Sequence, residues 1–350
     1  MKKMAVVMPS LYVGGGELFT YYMIKNTNSN KIDWRIVIII GEYADETLLK
    51  RYSMICHVWF NKRMYYKGET ISVAFENALT ILENCDGVVG WELVEERAAV
   101  FNLCRGTKYY LIFRHDEQHK KWTRSDYVLI ANSVSCIEDF GEIGNRHVHI
   151  VPSCFSKEHI QVSISRDIMR NKFGVYDDRV VVGFIGRMDY NKNPLAIARV
   201  ASIDNRITVC AFGQKSWESS GLEQDIEKTS RGRMIWHNPV FPIGNVLNAI
   251  DVFVQTSYSE VFSLALLEAC AFGVPTVSTA TGMVPFLNEH YGGICKLINP
   301  DDEPQIIKSA IQEAINDKKM VNRAYKMANS EFSEQQFGEI WSSIILGETS

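Results

Sequence analysis

The sequence predicts an α/β protein of two doubly wound parallel sheets, on three observations. Short apolar runs such as residues 4–8, 34–40 and 180–185 alternate with stretches of helical length and period. The alternation stops at residues 160–170, which are polar, lack an apolar strand and make the best linker candidate, and then begins again. At 350 residues the chain exceeds one typical core and suits two domains.

Taken in order, residues 4–8 form a continuous apolar run that suits a buried parallel strand and ends at Pro9. Gly14, Gly15 and Gly16 then precede a helix over residues 18–25. Three glycines permit positive φ and close backbone approach, so their amides either contact a phosphate or simply make a flexible turn. Strands at 34–40, 55–60 and 87–91 follow, with helices at 44–51, 71–82 and 93–103. The strand at 109–113 runs straight into Arg114, His115, Asp116, Glu117, Gln118 and His119, a polar cluster at a strand's carboxyl end, where such sheets bind ligands. His115 suits a sugar hydroxyl, or a surface or capping role. Its spacing to His119 would fit two metal ligands on a helix, but no further Cys or acid signature supports a metal. A strand at 127–131, a helix at 134–140 and a strand at 147–151 complete the first half.

The second series opens with a strand at 180–185 and a loop carrying Arg187 and Lys192, followed by Pro194 at the start of a helix over 195–201. Arg is a fork for bidentate oxyanion binding and Lys a point charge, so the pair suits a diphosphate, the alternative being surface cations. Strands at 208–212 and 233–237 lead to Val240 and Phe241, residues of a ligand loop or of the core. An apolar strand at 252–254 then enters the densest stretch, with Glu260, Val261, Phe262, Ser263, Leu264 and, after seven intervening residues, Glu268. Ser263 suits a helix N-cap, which would aim the amides of Phe262, Ser263 and Leu264 at an anion. Glu268 lies in a helix with almost no polar face, where an unpaired carboxylate is costly and needs a partner. It either completes the helix electrostatics or accepts from neighbouring hydroxyls, as a ribose presents, and Glu260 on the loop reaches a second polyol or stays solvated. Thr281, Gly282 and Met283 offer another glycine loop after the strand at 276–278, and helices at 303–317 and 321–327 precede an apolar stripe of Phe337, Ile340, Trp341, Ile344 and Ile345.

The stretch from Glu260 to Pro275 resembles the E-x7-E signature of retaining glycosyltransferases with the two-domain GT-B fold, family 4 above all. Gly186-Arg187 followed by Lys192, and the Gly-Gly-x-Glu turn Gly14-Gly15-Gly16-Glu17 after the first strand, are similar to further elements of that family. The resemblance is strong over residues 180–285 and looser before them. It implies two Rossmann-like domains facing a cleft: residues 1–160 on the acceptor side, 161–331 binding a nucleotide-sugar, and 332–350 as a last helix packing back on the first domain. It further implies that Arg187 and Lys192 hold the leaving diphosphate, Glu268 the ribose, and Glu260 and His115 the donor sugar. Gly14, Gly15, Gly16 and Val240 would line the donor site with the amides of residues 261–264. The donor would be a nucleotide-diphosphate sugar, the acceptor a glycan or lipid-linked hydroxyl, with no metal and no other cofactor. Ser153-Cys154 stands where the family usually has Asn-Gly, which leaves that contact open. A GT-B-fold epimerase and a catalytically silent nucleotide-sugar-binding subunit are the rival readings.

Composition fits this picture. Charged residues are 22% of the chain and the net charge is −4, which argues against a nucleic-acid binder working through a basic surface. Lys62, Arg63 and Lys67, and Lys120 and Lys121, make short basic clusters among aromatics, suited to a weak peripheral membrane contact through the N-terminal domain or to a solvated loop. Eight separate cysteines without C-x-x-C predict buried reduced thiols and a cytoplasmic setting. No apolar run approaches a membrane span.

Overall fold

A computed structural model describes residues 1–12, 14–113, 126–138, 147–215 and 219–348. The chain divides into two compact units, Met1–Ser153 with Glu334–Ser350, and Cys154–Ser333. His115 and the Lys120, Lys121 cluster lie outside the described residues.

The first unit is built on a sheet of β1 (Lys2–Met8), β2 (Ile32–Ile39), β3 (Val58–Phe60), β4 (Arg63–Tyr66), β5 (Glu69–Ser72), β6 (Gly87–Gly90), β7 (Thr107–Ile112), β8 (Tyr127–Ala131) and β9 (Val148–Ile150). Among the described residues its order is β5-β4-β3-β2-β1-β6-β7-β8-β9, parallel from β3 through β9. The neighbours of β1 are β2 and β6, so the winding reverses there. Met4 to Met8 are fully buried, as a central strand covered on both faces requires. Phe19, on helix Gly15–Asn26, meets Phe337 edge-on at 4.9 Å, and Lys25 pairs with Glu334 at 3.3 Å, so helix Glu334–Leu346 packs within this unit.

The second unit holds β10 (Val180–Ile185), β11 (Ile207–Phe212), β12 (Met234–His237), β13 (Val252–Gln255), β14 (Thr276–Thr279) and β15 (Lys296–Ile298). Their order is β12-β11-β10-β13-β14-β15, all parallel. This is the doubly wound dinucleotide-fold order, with its switch point between β10 and β13. Val182, Val209, Val252, Val254 and Val277 pack with Ile197, Val200, Ile307 and Ile311 of the covering helices into one core. Each such side chain contributes roughly 1.5–3 kcal/mol by leaving water.

Several expected elements differ. Residues 71–82 were expected as one helix, whereas Ile71 is in edge strand β5 and the helix is Phe75–Glu83. Lys67 and Gly68 both have positive φ, the backbone of a tight hairpin turn, and so β4 and β5 pair antiparallel. Residue 55 was expected to open a strand but ends helix Glu46–Ile55, whose start is fixed by Asp45 accepting from Leu48 N at 3.0 Å. Residues 160–170, expected as a linker, belong to the second unit and run into helix Arg166–Lys172. Arg166 and Arg170 both bond the Asp251 carboxylate, Arg170 at 2.6 Å, and Asp251 also accepts from Val181 N at 2.7 Å. These polar residues therefore fasten the segment to the sheet.

None of the eight cysteines forms a disulfide, and all are buried. Burial pushes the Cys136, Cys210 and Cys270 thiols up to about 12, so they stay protonated at neutral pH. No helix among the described residues is long and apolar enough to cross a membrane.

Candidate active site

In the second unit the charged candidates gather where the parallel strands end. The loop after β10 carries Arg187, Asp189 and Lys192. Asp189 is 2% exposed; its Oδ1 accepts from Lys192 N at 2.9 Å and its Oδ2 lies 3.4 Å from Arg187 Nη2. This side-chain-to-backbone bond folds the loop and keeps the half-exposed Arg187 guanidinium beside a buried carboxylate. Asn193 sits in the left-handed region and caps no amide with its side chain, which donates instead to Pro300 O at 2.9 Å. Pro194 then starts helix Pro194–Ile203.

The loop after β13 brings the partner of Lys192. Lys192 Nζ is 2.5 Å from Glu260 Oε1, and Ser257 Oγ donates to the same oxygen at 2.7 Å. The loops are also sewn together through their backbones: Tyr258 N donates to Asn191 O at 2.8 Å, and Asn191 Nδ2 to Ser259 O at 3.0 Å. Gly282 supports the loop from behind. Its φ is +57°, and a Cβ there would lie 2.3 Å from Val261 O and 2.6 Å from Glu260 O, so no other residue fits without moving that backbone.

Ser263 caps helix Leu264–Phe272 by accepting from Leu266 N at 3.2 Å. With the cap in place, the positive end of the helix and the amides around Val261, Phe262 and Leu264 lie at the end of the loop that carries Glu260. Glu268, on the same helix, is 4% exposed. Its partner is His159, whose Nδ1 is 2.6 Å from Glu268 Oε1; a carboxylate only accepts, so the imidazole donates. The His159 ring stacks on Phe241 at 5.2 Å, next to the half-buried Val240 on the loop after β12. His237, which ends β12, stacks on Phe212 at 5.1 Å, and burial lowers its pKa.

The structure thus brings Arg187, Lys192 and Glu260 into one bonded group with Asp189 and Ser257, and joins Glu268 to the Val240 loop through His159. Gly14, Gly15 and Gly16 are in the first unit. The three glycines do not use the positive φ open to them: Gly14 is an extended N-cap at φ −141°, and Gly15 and Gly16 open helix Gly15–Asn26 as its first turn. A Cβ on Gly15 would meet nothing within 4 Å, whereas one on Gly14 would lie 2.7 Å from Glu17 Oε2, so the Glu17 carboxylate sits against the helix start. Among the described residues, no group of three or more His, Cys, Asp or Glu side chains gathers as metal ligands would.

Asp189, Ser257 and His159 were not singled out from the sequence. Asp189 had a legible signal, an Asx residue three before Lys192 in a strand-to-helix loop. His159 had none, because its partner is 109 residues away.

Residues 165–331 match the family described as Glycosyl transferases group 1, so the second unit carries a glycosyltransferase group 1 domain. The whole chain has the GT-B class of α/β fold: it superposes on HepE of Anabaena, solved in complex with UDP and glucose, with a TM-score of 0.81 and 19% identity, covering 99% of this chain and 100% of that one. WaaG, a glycosyltransferase involved in lipopolysaccharide biosynthesis, gives 0.72 at 14% identity, with 98% and 100% covered. Among curated relatives, the D-inositol 3-phosphate glycosyltransferase of Mycolicibacterium smegmatis is 32% identical over 130 residues, 35% of this chain; the chain spans 30% of that relative's length.

Proposed function

We propose that the protein is a retaining glycosyltransferase of the family 4 type, which moves a sugar from a nucleotide-diphosphate sugar to a hydroxyl of a glycan or lipid-linked acceptor. The observation that carries this reading is the Lys192–Glu260 pair at 2.5 Å, on the strand-end loops of a group 1 domain and within the loop that leads to a capped helix start. A cation beside uncovered amides is what a diphosphate needs, and a carboxylate beside it is what sugar hydroxyls need.

In this reading Arg187, Lys192 and the amides of residues 262–264 take up the charge that grows on the leaving diphosphate, the largest contribution open to such a site. The bond between the anomeric carbon and the phosphate oxygen breaks. The acceptor oxygen bonds that carbon on the face just vacated, and its proton passes to the departing phosphate, so the anomeric configuration is kept. Lys192 must leave Glu260 to bind phosphate, which releases the carboxylate to orient the sugar. Glu268 holds the ribose. The side-chain cations do the work a metal would do elsewhere. HepE was solved with UDP and glucose, which supports the donor chemistry, and the Mycolicibacterium smegmatis relative is named a D-inositol 3-phosphate glycosyltransferase, which supports transfer of a sugar.

The first unit we assign to acceptor recognition, and the exposed Lys62, Arg63 and Lys67 around β4 to a weak contact with an anionic membrane on its cytoplasmic side. Incubating the full chain with a panel of nucleotide sugars and candidate acceptors tests the proposal. A product whose anomeric linkage matches the donor is expected; an inverted linkage, or conversion of the donor to a sugar isomer without transfer, would overturn it.

A further inference from the structure

His159 combines features that core packing alone does not explain. It is 6% exposed, and Nδ1 bonds Glu268 Oε1 at 2.6 Å. Its Nε2 is buried without any hydrogen-bond partner. The ring is clamped by the Phe241 face at 5.2 Å, and its backbone carbonyl accepts from Gly244 N at 3.2 Å. A phenylalanine facing a leucine would fill this space without stranding an imidazole nitrogen or burying a carboxylate. The arrangement bears the cost of both in order to hold one oxygen of Glu268.

We propose that His159 is a positioning residue that aims Glu268 at the ribose of the donor. This rests on the nucleotide-sugar reading above. The terminal torsion of a glutamate is broad, so a lone Glu268 would present its oxygens over a range of directions. A single charge-assisted bond from a ring that cannot turn fixes the carboxylate plane. One oxygen is then occupied by Nδ1–H, and the other is left to accept from a ribose hydroxyl in one direction. Because Phe241 clamps the imidazole, the loop after β12 and the helix of Glu268 are set by the same side chain. His159 touches no reacting atom; it acts through Glu268.

The test compares full-length wild type with His159→Asn, His159→Gln and His159→Phe. Asn places an amide donor near the position of Nδ1, whereas Gln places it near Nε2. Each protein is titrated calorimetrically with the diphosphates of uridine, adenosine and guanosine, with their 2′-deoxy counterparts, and with inorganic pyrophosphate. In wild type, loss of the 2′-hydroxyl should weaken binding by about tenfold. His159→Asn should keep that ratio, while the Gln and Phe variants should compress it to about twofold or less, with pyrophosphate affinity unchanged in all. A full ratio in the Gln or Phe variant overturns the inference. So does a pyrophosphate affinity that falls in step, which marks a general structural role. The Gln variant, polar and close in volume, keeps the comparison available where Phe does not fold. Wild type that binds the diphosphates with no ribose ratio sinks the inference alone, whereas wild type that binds no nucleoside diphosphate sinks the donor reading and the inference with it.

Discussion

Each unit places a glycine just after the strand that follows its first. A Cβ on Gly41, beyond β2, would lie 1.9 Å from Pro9 O in the loop after β1; a Cβ on Gly213, beyond β11, would lie 1.7 Å from Gly186 O in the loop after β10. The same parallel bridge follows in both, Leu11 with Ala44 and Met188 with Lys215. From this shared frame the loops diverge. The first unit's loop carries Tyr12, stacked on Tyr43 at 4.6 Å, ahead of a helix begun by glycines. The second unit's loop carries Arg187, Asp189 and Lys192, tied to each other and to Glu260. One winding therefore supports two chemistries: an open aromatic and backbone surface on one sheet, and charge fixed in advance on the other. Arg187 is held beside the buried Asp189 before a ligand arrives, whereas Lys192 would have to exchange Glu260 for phosphate, and under the proposed reading the chemistry belongs to this charged unit.

The comparison breaks first at Arg187. Arg187→Ala should lower turnover by about 100-fold or more with little change in melting temperature, because its side chain is 47% exposed; unchanged turnover would remove the second unit's claim to the chemistry. Gly282→Ala comes next. Its Cβ would collide with the Val261 backbone, at a cost of roughly 2 kcal/mol or more, seen as a lower melting temperature together with lost transfer.

Glu260→Gln should separate binding from transfer. With Lys192 released, nucleoside diphosphate affinity should rise by about fivefold while sugar transfer falls, as read by calorimetry and by initial rates. Asp204, placed before β11 and away from these loops, is the control for stability alone. Bonds from Arg206 and Lys308 hold its carboxyl well below the usual carboxylate range. A depressed acid stabilises the fold above its unfolded pKa of about 3.9, and that contribution is lost as the pH falls through the lower folded value. Asp204→Asn should thus cost about 1 kcal/mol at pH 7, with the gap in melting temperature to wild type closing in acid and turnover untouched.

The smallest effect belongs to the first unit. Gly15→Ala meets open space and replaces a helical glycine, so stability should rise by about 0.5–1 kcal/mol. If the open space beside Gly15 receives a ligand, activity falls even as the melting temperature rises.

What the sequence determined by itself was local. Continuous apolar runs located most strands of both sheets, Ser263 marked a helix start, and Arg187, Lys192 and Glu260 marked the charged loops, because each signal lies within a few residues of its cause. The hairpin of β4 and β5 escaped because its turn depends on positive φ at Lys67, a residue that rarely announces it. Tertiary structure alone decided the pairings. Lys192 meets Glu260 across 68 residues, His159 meets Glu268 across 109, and Arg166 with Arg170 turns an apparent linker into an anchor on Asp251. A buried charge must find its counter-charge wherever the sheet order delivers one, and the strand order that separates β10 from β13 in sequence makes them neighbours in space.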